Sequence, residues 1–182
     1  MDSFSPASCQ VLYHNFWAKI TNRNGRKNGI KICQWNAGGG FLLNKQEELS
    51  NIIDEFRPHV FGITESSFKR YQNKADVKIQ DYEIFFSNTL NNPNLELSRA
   101  CVYVHKDLNF KLRDDLMNDT ISSVWLELGK PRQKKVLFCV FYREWQYVNQ
   151  QNDSSHSVAS QLERWCIFLE QWEKAISFGV EK

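Results

Sequence analysis

A mixed α/β (α+β) domain is what this sequence predicts, and three patterns predict it. Between Ile30 and Ile63 an apolar run, a helical stripe and a second apolar run follow one another at the length of a βαβ unit. From Tyr82 to Tyr142 short apolar runs alternate with turn residues, as antiparallel strands do. From Ser157 to Phe178 apolar residues recur every three or four positions, the period of one long helix.

The composition fits a packed domain. A chain of 182 residues can bury one sizeable core. Its 42% hydrophobic and 24% charged residues are ordinary for a globular protein, and six Trp with thirteen Phe favour a core over disorder. A net charge of +2 is too mild to announce nucleic acid by itself. No apolar run approaches the ~18 residues of a membrane span, and no leading stretch reads as a signal peptide. The expectation is an intracellular protein, nuclear or cytoplasmic, with no membrane partner. Cys9, Cys33, Cys101, Cys139 and Cys166 show no zinc-knuckle or redox spacing. Reduced thiols are expected, with Cys33 and Cys139 on strands and Cys166 on the buried stripe of the last helix.

Residues 1–29 read as a basic lead-in or linker ahead of a domain over 30–182. Gln10 to Ile20 is apolar enough for a short helix or strand, and Asn24–Gly25 and Asn28–Gly29 mark turns. Lys19, Arg23, Arg26 and Lys27 face one acid, Asp2, in this stretch. A solvated linker and a nuclear-import or phosphate-contacting arm both fit that charge.

Ile30 to Trp35 reads as a strand, with Ile30 and Ile32 at spacing two. A glycine-rich loop follows, and its Gly38-Gly-Gly40 run lacks the spacing of a nucleotide fingerprint. Asn44 and Glu47 are spaced to cap a helix, and Leu49, Ile52, Ile53 and Phe56 give it a core-facing stripe. Arg57–Pro58 ends it, because the residue before proline is pushed out of the helical region. Val60 to Ile63 is a second apolar strand.

Tyr82–Phe86 and Ala100–Val104 then read as strands around the turn at Asn91–Asn94. Val124–Leu128 and Val136–Tyr142 read as a hairpin whose loop, Gly129–Lys135, carries four positive charges. Val136–Tyr142 is apolar without alternation, as in a strand buried on both faces. In the final helix Val158, Leu162, Cys166, Leu169, Trp172 and Ile176 form the expected buried stripe. Glu170 and Lys174 are spaced to pair, and Gly179 to cap the end.

Asn36 follows the first parallel strand and Glu65 follows the second. A right-handed crossover would bring both to the carboxyl ends of neighbouring strands, where ligands of such sheets collect. A carboxylate and a carboxamide there can gather a hard cation. Tyr142 and Arg143 end a later strand, and a phenol beside a guanidinium suits a phosphate oxygen. Read singly, Asn36 and Glu65 also fit helix caps or solvated loop residues, and Tyr142 a half-buried core aromatic. His14, His59, His105 and His156 have no acidic partner at metal or triad spacing.

Three of these segments together resemble the endonuclease/exonuclease/phosphatase superfamily. Lys31-Ile-Cys-Gln-Trp-Asn-Ala37 is similar to its first motif and Arg57-Pro-His-Val-Phe-Gly-Ile-Thr-Glu65 to its second. Val136-Leu-Phe-Cys-Val-Phe-Tyr-Arg143 resembles its third. The resemblance spans about residues 29–179 and is nearest to the apurinic-type endonuclease domains of non-long-terminal-repeat retrotransposons, where a Tyr-Arg pair is common at this point. It implies that Glu65 binds Mg²⁺ or Mn²⁺, that Asn36 positions that ligand or the phosphate, and that Tyr142 contacts the scissile phosphate of DNA.

The departures bear on activity. The family's Gly-Asp-x-Asn and Ser-Asp-His motifs, which supply the nucleophile-handling Asp and an Asp–His pair, occur nowhere in these residues. Arg99-Ala-Cys-Val also lacks the paired glycines frequent in the retroelement branch. The expectation is therefore a truncated domain, one half of a two-sheet β-sandwich flanked by helices, inactive alone. Its inner face would lie bare, to be covered by a partner chain or by self-association. Two other readings stand beside this one. One is a working phosphodiesterase completed by an atypical second half, and the other a nucleic-acid- or protein-binding module derived from the domain.

Overall fold

Strand β1 (Phe16–Ile20) runs antiparallel to β2 (Ile30–Asn36). From β2 the chain passes through helix α1 (Gln46–Phe56) to β3 (Val60–Lys69), which lies parallel to β2. This is the expected βαβ unit. The computed structural model describes residues 16–20, 30–38, 41–129, 135–142 and 158–180. Strands β4 (Tyr82–Phe86) and β5 (Leu97–His105) complete a five-stranded sheet in the order β1-β2-β3-β5-β4. Strands β6 (Phe110–Leu112), β7 (Ser123–Leu128) and β8 (Val136–Phe141) form a second, antiparallel sheet. Helix α2 spans Val158–Val180.

The alternation along each strand sorts the chain into four layers. On the outer face of the large sheet Cys33, Trp35, Phe61, Ile63, Cys101 and Tyr103 pack with Leu49 and Ile53 of α1. On its inner face Ile32, Val60, Ala100, Val102 and Val104 meet Val124, Leu126, Leu128 and Val140 of the small sheet. The far side of the small sheet, through Trp125, Leu137 and Cys139, packs on Phe168 and Ala175 of α2. Period-two alternation thus feeds two cores at once, as it must in a strand covered on both sides.

The second sheet overturns the expectation of a bare inner face. The 182 residues contain strands of both sheets, and the apolar face assigned to a partner chain or a second copy is covered from within. Gly62 marks how closely the sheets approach: a Cβ there would lie 2.6 Å from Val140 Cγ2.

Local details also differ. Asn44 does not cap α1, because a 3-10 turn over Leu42–Lys45 intervenes and the helix starts with Lys45 at its N-cap. Arg57 ends α1 in the left-handed region at φ 44°, its N–H donating to Ile53 O. Strand β8 packs on both faces as expected, but it lies at the end of the small sheet, so Val136 stays 38% exposed.

Helix α2 is turned away from its predicted stripe. Leu162, Cys166, Leu169 and Trp172 are exposed, while Gln171 and Ala175 are buried. The aromatic contacts set this rotation. Phe168 stacks on Phe141 with centroids 3.9 Å apart and lies over Trp125 at 6.5 Å, so its side of the helix faces the sheet. Lys174 donates to Asp115 O at 2.8 Å, a tie to the small sheet's 3-10 turn and not to Glu170. The helix continues past Gly179, which therefore does not cap it. Side chains of Val158 and Ile176 lie outside the described residues.

Candidate functional site

Parallel pairing of β2 with β3 sets Asn36 opposite Thr64, one residue before Glu65. Asn36 Nδ2 donates to Glu65 Oε1 at 3.1 Å. Its Oδ1 accepts from Gly38 N at 2.8 Å, and Ala37 N donates to Thr64 O at 2.9 Å. Gly38, at φ 65°, makes the turn that brings this N–H back to the carboxamide. Asn36 is thereby held at both ends, and its amide nitrogen is aimed at the carboxylate. Both side chains are half-buried.

Glu65 sits on a strained backbone. Its φ is 57° and that of Ser67 is 46°, in the left-handed region that costs an ordinary residue roughly 1–2 kcal/mol. The strain belongs to a bulge, because Thr64 pairs with Ala100 and Phe68 with Ser98, leaving three residues of β3 against Arg99 alone. Buried hydroxyls hold the bulge from behind. Ser66 Oγ donates to Ser98 O at 2.9 Å, and Ser98 Oγ lies 2.6 Å from Ser87 Oγ, which lies 2.7 Å from Thr89 Oγ1. Beneath them the fully buried Cys101 thiol is pushed up to about 12 by burial and stays neutral. Satisfied buried networks of this kind stabilise one geometry over its alternatives.

Tyr142 is carried to the same end from the small sheet. Its N–H donates to Ser122 O at 2.9 Å, and Ser122 Oγ accepts from Arg99 N at 3.2 Å. The Arg99 guanidinium lies 5.7 Å from the centre of the Tyr142 ring. Since Arg99 faces the bulge, Asn36, Glu65 and Tyr142 share one end of the sandwich, with Asn36 and Glu65 joined directly by a hydrogen bond. Arg143 lies outside the described residues, as do the arm before Phe16 and residues 130–134 of the basic loop.

Sequence reasoning missed the bulge and the residues that support it. Ser66, Ser87, Thr89 and Ser98 carry no spacing signal, because their partners are 32, 11 and 2 residues away. A Glu-Ser-Ser run inside an apolar strand was the one visible hint.

Among the described residues no group of three or more His, Cys, Asp or Glu side chains that could hold a metal ion is found. One carboxylate suffices for a hard cation that keeps several waters and takes further oxygens from a bound phosphate. Glu65 and Asn36 bring side-chain oxygens to one place, which is the donor chemistry that hard cations take. Among the described residues no helix is long and apolar enough to cross a membrane.

No family model matches the sequence, and no curated protein matches it. Among solved structures, the chain is similar to the endonuclease domain of TRAS1, a telomere-specific non-LTR retrotransposon, with a TM-score of 0.45 and 14% identity. The match covers 73% of this chain and 52% of that one, so this chain spans about half the length of the solved domain.

Proposed function

We propose that these residues form the cation- and phosphate-holding part of a metal-dependent phosphodiesterase of the retroelement DNA endonuclease type, and that alone they do not cleave. The observation that carries this reading is the bond from Asn36 to Glu65, made at the carboxyl ends of adjacent parallel strands and on a strained backbone. Strained backbone of this kind clusters at active sites and ligand clamps, where the surrounding structure holds it in place.

In this reading Glu65 holds Mg²⁺ or Mn²⁺, and Asn36 keeps the carboxylate turned toward it. The cation, when bound, supplies charge neutralisation at the non-bridging and leaving oxygens of the phosphodiester. Tyr142 donates its phenolic proton to a phosphate oxygen, and Arg143 adds charge there. The Gly-Asp-x-Asn and Ser-Asp-His motifs, which would supply a group to take the proton from the attacking water, do not occur in this sequence. Losing such a group typically costs ~10²–10⁴ in rate.

Nicking of supercoiled DNA with Mg²⁺ tests the proposal. The 182-residue chain should leave the DNA intact. Joined to a segment carrying Gly-Asp-x-Asn and Ser-Asp-His, it should nick, and Glu65→Ala should abolish that. Cleavage by the chain alone that Glu65→Ala stops would contradict the claim of inactivity. Cleavage by the joined chain that survives Glu65→Ala would contradict the site.

A further inference from the structure

Beyond Glu65, β3 runs on to Lys69 and into an exposed turn, Arg70-Tyr71-Gln72-Asn73-Lys74, so that three cations fall within six residues. Tyr71 is 78% exposed, so its ring is presented to solvent. Phe41, from the loop that follows Asn36, is 37% exposed. The Lys69 ammonium lies over both rings, 4.8 Å from the centre of Phe41 and 5.5 Å from that of Tyr71. Two segments distant in sequence thus deliver a ring, a cation and a second ring to one surface, at the same end as Asn36 and Glu65.

The turn that carries Tyr71 is held in shape. The Arg70 guanidinium donates to Leu90 O and Leu95 O, each at 2.9 Å, and to Asn92 O, tying it to the asparagine-rich loop between β4 and β5. Lys69 N donates to Gln72 Oε1 at 2.7 Å and closes the turn. The braced turn fixes where the backbone presents Tyr71, so little main-chain ordering is left to lose on binding.

We infer that Phe41, Lys69 and Tyr71 form a stacking platform for unpaired nucleotides, the two rings taking bases and the ammonium the phosphate between them. Every base has a π-face, so such a platform is tolerant of sequence, and single strands expose those faces while a duplex hides them. The strand rise puts Lys69 at most about 13 Å from Glu65, within reach of a few nucleotides. That placement, but not the binding itself, rests on the phosphodiesterase reading above.

Anisotropy of labelled oligothymidylate, oligouridylate and a duplex of equal length, titrated with the 182-residue chain, tests the platform. Tyr71→Ala should weaken binding of the single strands by about fivefold or more, as loss of one stacked base does. The duplex should change less than twofold, and Tyr71→Trp should restore binding. Lys69→Gln should lower the slope of log affinity against log salt by about 0.7 for single strands. Tyr71 is exposed, so its variants should fold, which circular dichroism checks. The platform is overturned if the chain binds no single strand, if Tyr71→Ala binds as the parent does, or if single strand and duplex weaken equally. Loss of duplex affinity alone would assign this surface to a phosphate track and overturn stacking. None of these outcomes depends on cleavage, so failure here leaves the Glu65 experiment intact, and failure there leaves this one intact.

Discussion

Gly62 on β3 lies so close to Val140 on β8 that a Cβ at position 62 would come within 2.6 Å of the valine Cγ2. Bare backbone at that position lets the two sheets meet, and it sits two residues before the strand reaches Thr64 and the bulge. Gly62→Ala should cost about 1–3 kcal/mol in urea unfolding, the usual range for overpacking. Val140→Ala opens room for the added carbon, so the double variant should lose less than the two single losses summed. An unchanged midpoint for Gly62→Ala would mean the sheets do not pack there.

Position 65 should invert an ordinary preference. In a strand Ala is normally more stable than Gly, but at φ 57° glycine alone escapes the steric cost. Glu65→Ala and Glu65→Gly both remove the bond from Asn36, so their difference isolates the backbone. Thermal melts should place Glu65→Gly above Glu65→Ala by about 1 kcal/mol. The usual order would show that the bulge relaxes at no cost.

Acid stability should depend on one guanidinium. Arg113 is 7% exposed at its side chain, and its Nε and Nη2 donate to Asp115 at 2.8 and 2.7 Å while Nη1 donates to Glu127 at 3.1 Å. Hydrogen bonding from Arg113 holds Asp115 below its ordinary 3.8, and Lys135, ahead of Arg113, holds Glu127 below its ordinary 4.5. Both carboxylates are thus more acidic in the folded chain. Their stabilisation is complete above about pH 4.5 and is lost as the pH falls through the depressed folded values. Arg113→Met should lower stability at pH 7 by roughly 1–3 kcal/mol and flatten the decline below about pH 4.5. His59 contributes separately. Burial lowers its pKa from 6.5, so its stabilisation is present above that pH and fades below it, unchanged in Arg113→Met.

Thiol reactivity should separate the cysteines. Burial pushes Cys33 and Cys101 up to about 12 and raises Cys139 further, whereas Cys166 is exposed on α2. With an aromatic disulfide reagent at pH 8, Cys166 should react in seconds and Cys33, Cys101 and Cys139 only on unfolding. Fast labelling of Cys101 would mean the bulge opens readily. Rapid protection of Cys166 would mean that α2 is turned as its apolar spacing predicts.

That last alternative shows where the sequence was ambiguous. Strands β2, β3, β5 and β7 were legible because their alternation feeds two cores, and the spacing of Asn36 and Glu65 placed both at one sheet end. The rotation of α2 was not, since Trp165, Phe168, Leu169 and Trp172 offer two apolar faces. Phe141 selects between them across the fold. Strand β6 is three residues long and alternates too briefly to see. The second sheet was misjudged for a different reason. Segments 124–128 and 136–142 were recognised as a hairpin, but nothing local says on which sheet a hairpin will pair. The bulge at 65–67 depends on hydroxyls from β5 and from the turn that follows β4, which is long-range information.

Paramagnetic broadening of amide signals by Mn²⁺ tests the central claim most directly, with thymidine dinucleotide present to supply the phosphodiester. If Glu65 is the ligand of a cation held together with a phosphate, the amides of Ala37, Gly38, Thr64, Glu65 and Ser66 should broaden first. Glu65→Gln should remove that broadening while leaving the rest of the spectrum in place. Broadening centred on Asp115 and Glu127, or a pattern at 36–38 and 64–66 that persists in Glu65→Gln, would contradict the account.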